Sequence, residues 1–231
     1  MMPRQSLRTL PRLFALAATL SPLVVHAQSA ADTRDGALPN PRHAFENSWY
    51  WGAKGGMTRF GTVVDGRVSA PVTGAEWLIT HERGALLVSA EQSFFKRSSV
   101  VADPYATNGM RQIALHDSRR YSAAALAAPI AFGRVRPYAG VGVALQVIRE
   151  ATPMGDFASQ QQYAFVLDRV NDGQSTASAF VIGGAQAQWR ALALFVQGNL
   201  SSAQSRSLLN LGGGSQIEGG LRYNIASAFE K

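Results

Sequence analysis

Residues 138–148 read YAGVGVALQVI, and the fold turns on what their two faces meet. Ala139, Val141, Val143, Leu145 and Val147 take the odd positions, while Tyr138, Gly140, Gly142, Ala144 and Gln146 take the even ones. A strict period of two puts successive side chains on opposite sides of a pleated strand. One face is wholly apolar and the other is small and polar. The pattern by itself leaves open whether the apolar face looks inward or outward.

The same period recurs on both sides of this stretch. It predicts eight strands: Ser48 to Phe60, Val72 to Thr80, Ala85 to Lys96, Gln112 to Ala128, Arg134 to Ile148, Thr176 to Trp189, Ala191 to Leu200 and Ser215 to Ile225. The connections alternate. Longer ones cover Val63 to Ala70, Arg97 to Arg111, Arg149 to Ser175 (the longest) and SSAQSRSLLNLGGG at 201–214, with short turns between them. An even number of strands with short turns at one end and long loops at the other is the build of an outer-membrane barrel.

The two faces divide the residues by charge. One carries Trp49, Trp51, Met57, Trp77, Ile79, Leu86, Val88, Phe94, Tyr121, Val143, Val181, Trp189, Leu194, Ile217, Leu221 and Tyr223, none of them charged. The other carries Lys54, Glu76, Glu91, Arg120, Gln146, Gln186, Gln197, Asn199, Glu218 and Arg222 among many Gly, Ala and Ser. A soluble barrel or sandwich would have its apolar face inside and a densely charged face in water. Here the polar face is too poor in charge for that and suits the narrow interior of an eight-stranded barrel, which side chains just fill. The apolar face then meets lipid, where closure is obligatory because an open edge would leave backbone groups unpaired. The expected fold is all-β, an eight-stranded antiparallel transmembrane up-and-down β-barrel. The four Trp, at 49, 51, 77 and 189, gather with Tyr223 at the turn-bearing ends of the strands, as a membrane-interface belt would.

Composition bounds the rest. The chain has 231 residues, no Cys and a net charge of +7. Residues 1–27 carry Arg4, Arg8 and Arg12, then an apolar run from Leu13 to Val25 and a V-H-A end, the anatomy of a secretory signal peptide. Its removal takes the charge from +7 to +4, a balance that points to no nucleic acid. Export without Cys means stability without a disulfide framework. Residues 28–47, rich in Asp, Asn, Pro and Gly without periodicity, read as a flexible leader, so the barrel domain covers 48–231.

With WYWGAKGGMTRF as first strand, RPYAGVGVAL after the second turn and EGGLRYNI as last strand, the chain resembles the small eight-stranded outer-membrane β-barrel family of Gram-negative bacteria, porin-like and adhesin-like. The resemblance implies residence in the outer membrane, contact with its lipid and lipopolysaccharide, and insertion by the barrel assembly machinery. Members of the family usually end on an aromatic residue. Here Phe229 is followed by Glu230 and Lys231, so the assembly signal is displaced or is read from Tyr223 and Phe229.

On the lumen face, Lys54, Arg120 and Arg222 balance Glu76, Glu91 and Glu218. Charges this deep need partners. The expectation is an ionic plug, with a narrow pore built from the same ions as the alternative. The H-x-S pair His116 and Ser118 shares one strand face and resembles that of lipid A-modifying hydrolase barrels, but the residues that follow the pair in that family are absent and no acid is placed to orient the imidazole. His81 reads as a turn residue and His43 lies in the leader, so neither metal nor cofactor is expected. The long loop offers Phe157, Tyr163 and Phe165 for contact with an external ligand. Function therefore reads as a non-enzymatic, structural or surface-interaction barrel. A soluble lipocalin-like carrier is the other class, and it would require an apolar interior.

Overall fold

A computed structural model describes residues 47–128, 130–203, 207–209 and 213–227. The expected signal peptide, residues 28–46 of the expected leader, and Phe229 lie outside them.

Eight strands form one closed barrel: β1 (Ser48–Thr62), β2 (Gly66–His81), β3 (Gly84–Ala102), β4 (Met110–Ala127), β5 (Val135–Pro153), β6 (Ser175–Trp189), β7 (Leu192–Ser201) and β8 (Ser215–Ser227). Each pairs antiparallel with the next, and β8 returns to β1. The two tightest turns contain Glu82 and Arg190, both in the left-handed region (φ 48° and 56°) that lets a two-residue link follow the strand twist.

The alternation sorts the faces. Val141, Val143, Leu194 and Ile217 point outward and are 61–69% exposed, whereas Glu76, Glu218 and Arg222 point inward and are 0–2% exposed. Nothing in the barrel covers the apolar face, and it covers the charged one completely.

Three strands run further than their alternation predicts. β2 begins at Gly66 rather than Val72, because Gly66 (φ 67°) and a hydrogen bond from Asp65 N to Thr62 Oγ1 (2.9 Å) close a tight turn where a longer connection is expected. β3 and β5 continue to Ala102 and Pro153 past an interruption of the period. The register shifts between Ser93 and Lys96 opposite Asp117, whose φ is 50° and whose carboxylate accepts from Phe95 N (3.1 Å). This bulge sets Phe94 and Phe95 against one residue, and beyond it the inward positions change parity on β4 (Ser118 to Leu115) and β5 (Ile148 to Ala151) while β3 keeps its own.

The longest connection is not all loop. Helix α1 spans Gln160–Gln174, capped by Ser159, whose hydroxyl accepts from Gln162 N (3.2 Å). Its buried stripe is Gln162, Val166, Val170 and Gly173, and this spacing lays one face down.

The lumen is filled in three layers. At the turn-bearing end lies an apolar cluster with Tyr50, Leu78, Leu87, Leu126, Tyr138 and Ile182. The charged residues form the waist. At the loop-bearing end a second apolar cluster joins Phe60, Val101, Ile113, Leu115 and Ile148 to Val166 and Val170 of α1 and to Leu208 and Leu209.

Candidate functional site

The waist is built by charged side chains lying across glycines. Glu76, Gly52 and Arg222 share one register row, and so do Glu91, Gly74, Lys54 and Gly220, while Glu218 sits opposite Gly56. A Cβ at Gly52 would come within 3.0–3.1 Å of the Arg222 and Glu76 side chains, and one at Gly74 within 2.9 Å of Glu91 Cγ. Only a missing side chain leaves each long one room to lie flat across its neighbour strand.

Lys54 is the hub. Its Nζ donates to Glu91 Oε1 (2.5 Å) and Glu218 Oε2 (3.0 Å) and stands 3.6 Å from Glu76 Oε2. Arg222 donates through Nε to Glu76 Oε1 (2.5 Å), and through its terminal nitrogens to Gln186 Oε1 (2.7 Å) and Gln197 Oε1 (3.3 Å). Its guanidinium also lies 3.9 Å above the Phe195 ring. Arg120 reaches across the lumen to Asn199 Oδ1 (3.1 Å) and Gln216 Oε1 (3.0 Å), with Glu91 Oε2 at 3.8 Å. Gln197 and Gln216 donate their amides to the carboxylates, 3.2 and 3.0 Å to Glu76 and Glu218 and 2.8 and 2.6 Å to Glu91 and Glu218. The six charged residues thus form one network, in which neutral amides take the lone pairs the cations do not reach. Gln197 and Gln216 belong to this site as fully as the ions do. Their only signal in the sequence is that they are polar on the inward face. Three glutamates meet here around an ammonium group, and among the described residues no group of His, Asp or Glu is arranged to hold a metal ion.

A polar cavity of about 60 Å³ lies between waist and roof, lined by Ser93, Arg120, Ser178, Asn199, Ser201 and Gln216 among others. This volume has room for only a few waters.

The roof is latched by Asp103. This buried carboxylate accepts from Arg111 Nε (2.7 Å), Gln162 Nε2 (2.9 Å) and Tyr105 N (3.0 Å), tying the β3–β4 connection to α1. Arg111 also donates to Met154 O (3.1 Å) and Asp156 O (3.0 Å) and lies 4.0 Å over the Phe157 ring. Burial works to raise the Asp103 carboxyl, but the bonds from Arg111, Gln162 and Tyr105 N–H outweigh it and hold the group below the usual carboxylate range. A lowered folded value means that the latch is at full strength above the ordinary Asp pKa and is lost as the pH falls through the folded value. Asp103→Asn is expected to speed tryptic cleavage after Arg169 several-fold at neutral pH. In the wild type, peptic cleavage within α1 is expected to rise only below the ordinary Asp range. Equal cleavage of variant and wild type would show that the latch does not hold α1.

Phe157 and Phe165, two of the three loop aromatics, pack against the upper apolar cluster. Tyr163 meets Phe157 edge-on at 5.0 Å and is the most open of the three, at 37% exposed. All three therefore hold α1 and its approach in place.

His116 and Ser118 do not share a face. The bulge at Asp117 turns Ser118 into the lumen, 2% exposed, and leaves His116 beside Glu150 on the outside, Nδ1 to Oε2 3.8 Å. The strict alternation expected through this stretch breaks at Asp117 (φ 50°), and a nucleophile and base on opposite faces of a sheet cannot exchange a proton.

Four of the outward aromatics, Trp77, Trp51, Tyr223 and Trp189, fall with Leu192 in one register row, and Trp49 lies in the row below, opposite Ile79. Trp77 stacks on Trp51 at 5.7 Å and meets Trp49 edge-on at 5.3 Å.

No protein-family model matches the chain, and neither does any curated protein. Solved structures do match. Neisserial surface protein A does so with a TM-score of 0.52 at 12% identity, over 77% of this chain and 97% of that one. Ail, the attachment invasion locus protein of Yersinia pestis, solved with the heparin analogue sucrose octasulfate, reaches a TM-score of 0.39 at 10% identity, over 78% and 99%. The likeness is one of fold: the chain has the architecture of the small eight-stranded outer-membrane β-barrels.

Proposed function

We propose that the chain is an integral outer-membrane barrel, sealed by its own side chains, that serves the cell envelope as a non-enzymatic structural or surface-interaction protein. The observation that carries this reading is the sorting of the two faces. An apolar wall, free of charge from the turns up to the level of Arg59 and Arg119, surrounds an ionic interior, whereas soluble monomers rarely expose contiguous apolar patches beyond a few hundred Å². A soluble carrier would need the reverse arrangement. The turn-bearing end, with its Trp and Tyr row, faces the periplasm, and the end roofed by α1 faces outward. Trp77 Nε1 is buried and has no hydrogen-bond partner among the described residues, so the ring contributes to the row through its stacking on Trp51 and its edge-on contact with Trp49.

Plug is favoured over pore because the ionic waist is closed above and below by apolar clusters. A water path needs continuous polar lining, and here it would have to cross both. The surface role falls to the rim around α1 and the connections beside it, where a rigid scaffold displays exposed polar residues.

Heat-modifiable gel mobility tests the membrane reading. The folded chain from outer membranes should migrate faster unboiled than boiled, and the same preparation in planar bilayers should carry no resolvable single-channel current. A periplasmic, non-shifting protein would sink the membrane reading, and steady unitary conductance would sink the plug.

A further inference from the structure

The turn-bearing end of the barrel is dominated by charge of one sign. Arg83 and Arg190 occupy the two-residue turns after β2 and β6, Arg134 closes the β4–β5 connection, and Arg136 stands on the inward face at the mouth of the lumen, opposite Gln186. Glu82 is the one acid among the described residues of these turns. Every described aspartate lies at the other end, where Asp65, Asp103 and Asp117 accept from backbone N–H groups. Arg83, Arg134 and Arg190 are exposed, and no described carboxylate pairs with them.

The backbone sets these side chains on a fixed rim. Ala128 N donates to Arg83 O (2.7 Å), Gln188 N to Arg134 O (2.9 Å) and Asn224 N to Ala191 O (2.7 Å), so each turn is pinned to its neighbour round the barrel. The β4–β5 connection is also closed on itself, by Phe132 N to Val135 O (2.9 Å) and Val135 N to Phe132 O (3.1 Å), around Gly133 at φ 62°. It presents Phe132, 65% exposed, beside Arg134, whose guanidinium lies 5.0 Å over the equally open Trp189 ring. Groups held in place before a partner arrives lose little freedom on binding it.

The chemistry of the rim narrows the partner. A guanidinium pairs with a carboxylate through two parallel bonds, and an exposed aromatic ring can cover the C–H face of a sugar. A glycan that carries carboxylates combines the two. Arg83 lies past Trp77 along β2 and Arg190 past Trp189 along β6, beyond the outward aromatic row, and Arg136 lies on the face that lipid does not reach. The rim therefore suits a partner beneath the membrane better than one within it.

We propose that this rim docks the barrel on peptidoglycan, with Arg83, Arg134 and Arg190 on the carboxylates of its peptide stems and Phe132 against a sugar ring. The proposal rests on the membrane reading above, which turns this end of the barrel to the periplasm.

The test places the full chain in phosphatidylcholine nanodiscs, scores the unboiled mobility shift, and then measures the fraction that co-sediments with purified sacculi. The expected result is saturable capture that weakens with salt. Arg83→Gln/Arg134→Gln/Arg190→Gln should lower the affinity about tenfold, as loss of three exposed ion pairs of modest worth implies. Phe132→Ala should lower it severalfold, and neither variant should alter the shift. Arg67→Gln/Arg97→Gln/Arg119→Gln, which removes the same charge from exposed positions at the loop-bearing end, should leave capture unchanged. Sacculi stripped of their stems by an amidase should capture little. Equal loss in the two triple variants, or equal capture by stem-stripped glycan, would overturn the site and leave a diffuse basic attraction. Retention of phosphatidylglycerol through the three arginines, without capture by sacculi, would assign the rim to lipid phosphate and overturn the proposal. A heat-modifiable barrel that sacculi do not capture would overturn the docking alone, whereas absence of the shift would overturn the membrane reading and the docking with it.

Discussion

Replacing Lys54 by Leu is expected to cost the barrel about 3–5 kcal/mol, the range for removing one partner from a buried ionic cluster. Lys54 is the one cation in contact with all three glutamates, and its side chain is 1% exposed. Without it Glu91 keeps only Arg120 at 3.8 Å as a cation, and Glu218 keeps no cation at all, only the Gln197 and Gln216 amides. Two carboxylates, 1–2% exposed, are then left short of positive charge, so the penalty is desolvation with little compensation. Urea unfolding in micelles, with the fast-migrating band as the folded signal, measures this cost. The double variant Lys54→Leu/Glu218→Gln removes the stranded charge along with the cation and should recover a large part of the loss. If it is no more stable than the single variant, the cost comes from packing and not from charge. Glu218→Ala alone should destabilise by a similar route, leaving Lys54 with Glu91 and a distant Glu76. Neither change should open conductance, because both apolar clusters remain.

The ease with which this fold is read from sequence has a physical cause. An outward wall in contact with an apolar surrounding must be apolar at every second residue, with no tolerance for the scattered charges of a soluble surface. The period of two therefore survives over whole strands such as Ser175–Trp189. It fails where Phe94 and Phe95 of β3 face the single Asp117 of β4, an irregularity that hides the true ends of β3 and β5 and misplaces His116 relative to Ser118, and the register shifts again between Trp49 and Tyr50 where β1 meets β8. Helix α1 is harder to see because its buried stripe has just two large apolar residues, Val166 and Val170. The spacing of four between Gln162, Val166 and Val170, after Ser159 as cap, is the trace it leaves.

The residues of the waist are legible by parity, but their pairing is not. Glu76 and Arg222 meet because β1 brings Gly52 between them in one row, 146 residues apart in sequence. Arg120 meets Asn199 and Gln216 across the full width of the lumen. Both facts follow from the stagger of strands around a closed barrel, which no local pattern encodes. The glycines opposite each ion are the nearest thing to a code for it, since an inward glycine marks where a neighbour's long side chain must lie.

That role of glycine separates two substitutions identical in chemistry. Gly220→Ala on β8 would place a Cβ 2.1 Å from Ala53 O and 2.9 Å from both Lys54 Cα and the Phe195 ring, so the β8–β1 seam must open to admit it. Gly198→Ala on the neighbouring strand would meet nothing closer than 3.7 Å. The first should destabilise by about 3 kcal/mol, the upper part of the range for overpacking, because the obstructing atoms are backbone and cannot rotate aside. The second should be neutral or stabilise by up to about 1 kcal/mol, since a β-carbon restricts the unfolded chain at a position where the folded one has room. Urea midpoints for the pair measure the contrast. Equal midpoints would mean that the seam is loose enough to absorb a methyl group, and that the inward glycines are not what lets β8 close against β1. A large gap would show that barrel closure, the step that removes the last free strand edges, depends on the absence of side chains beside Lys54 and its partners.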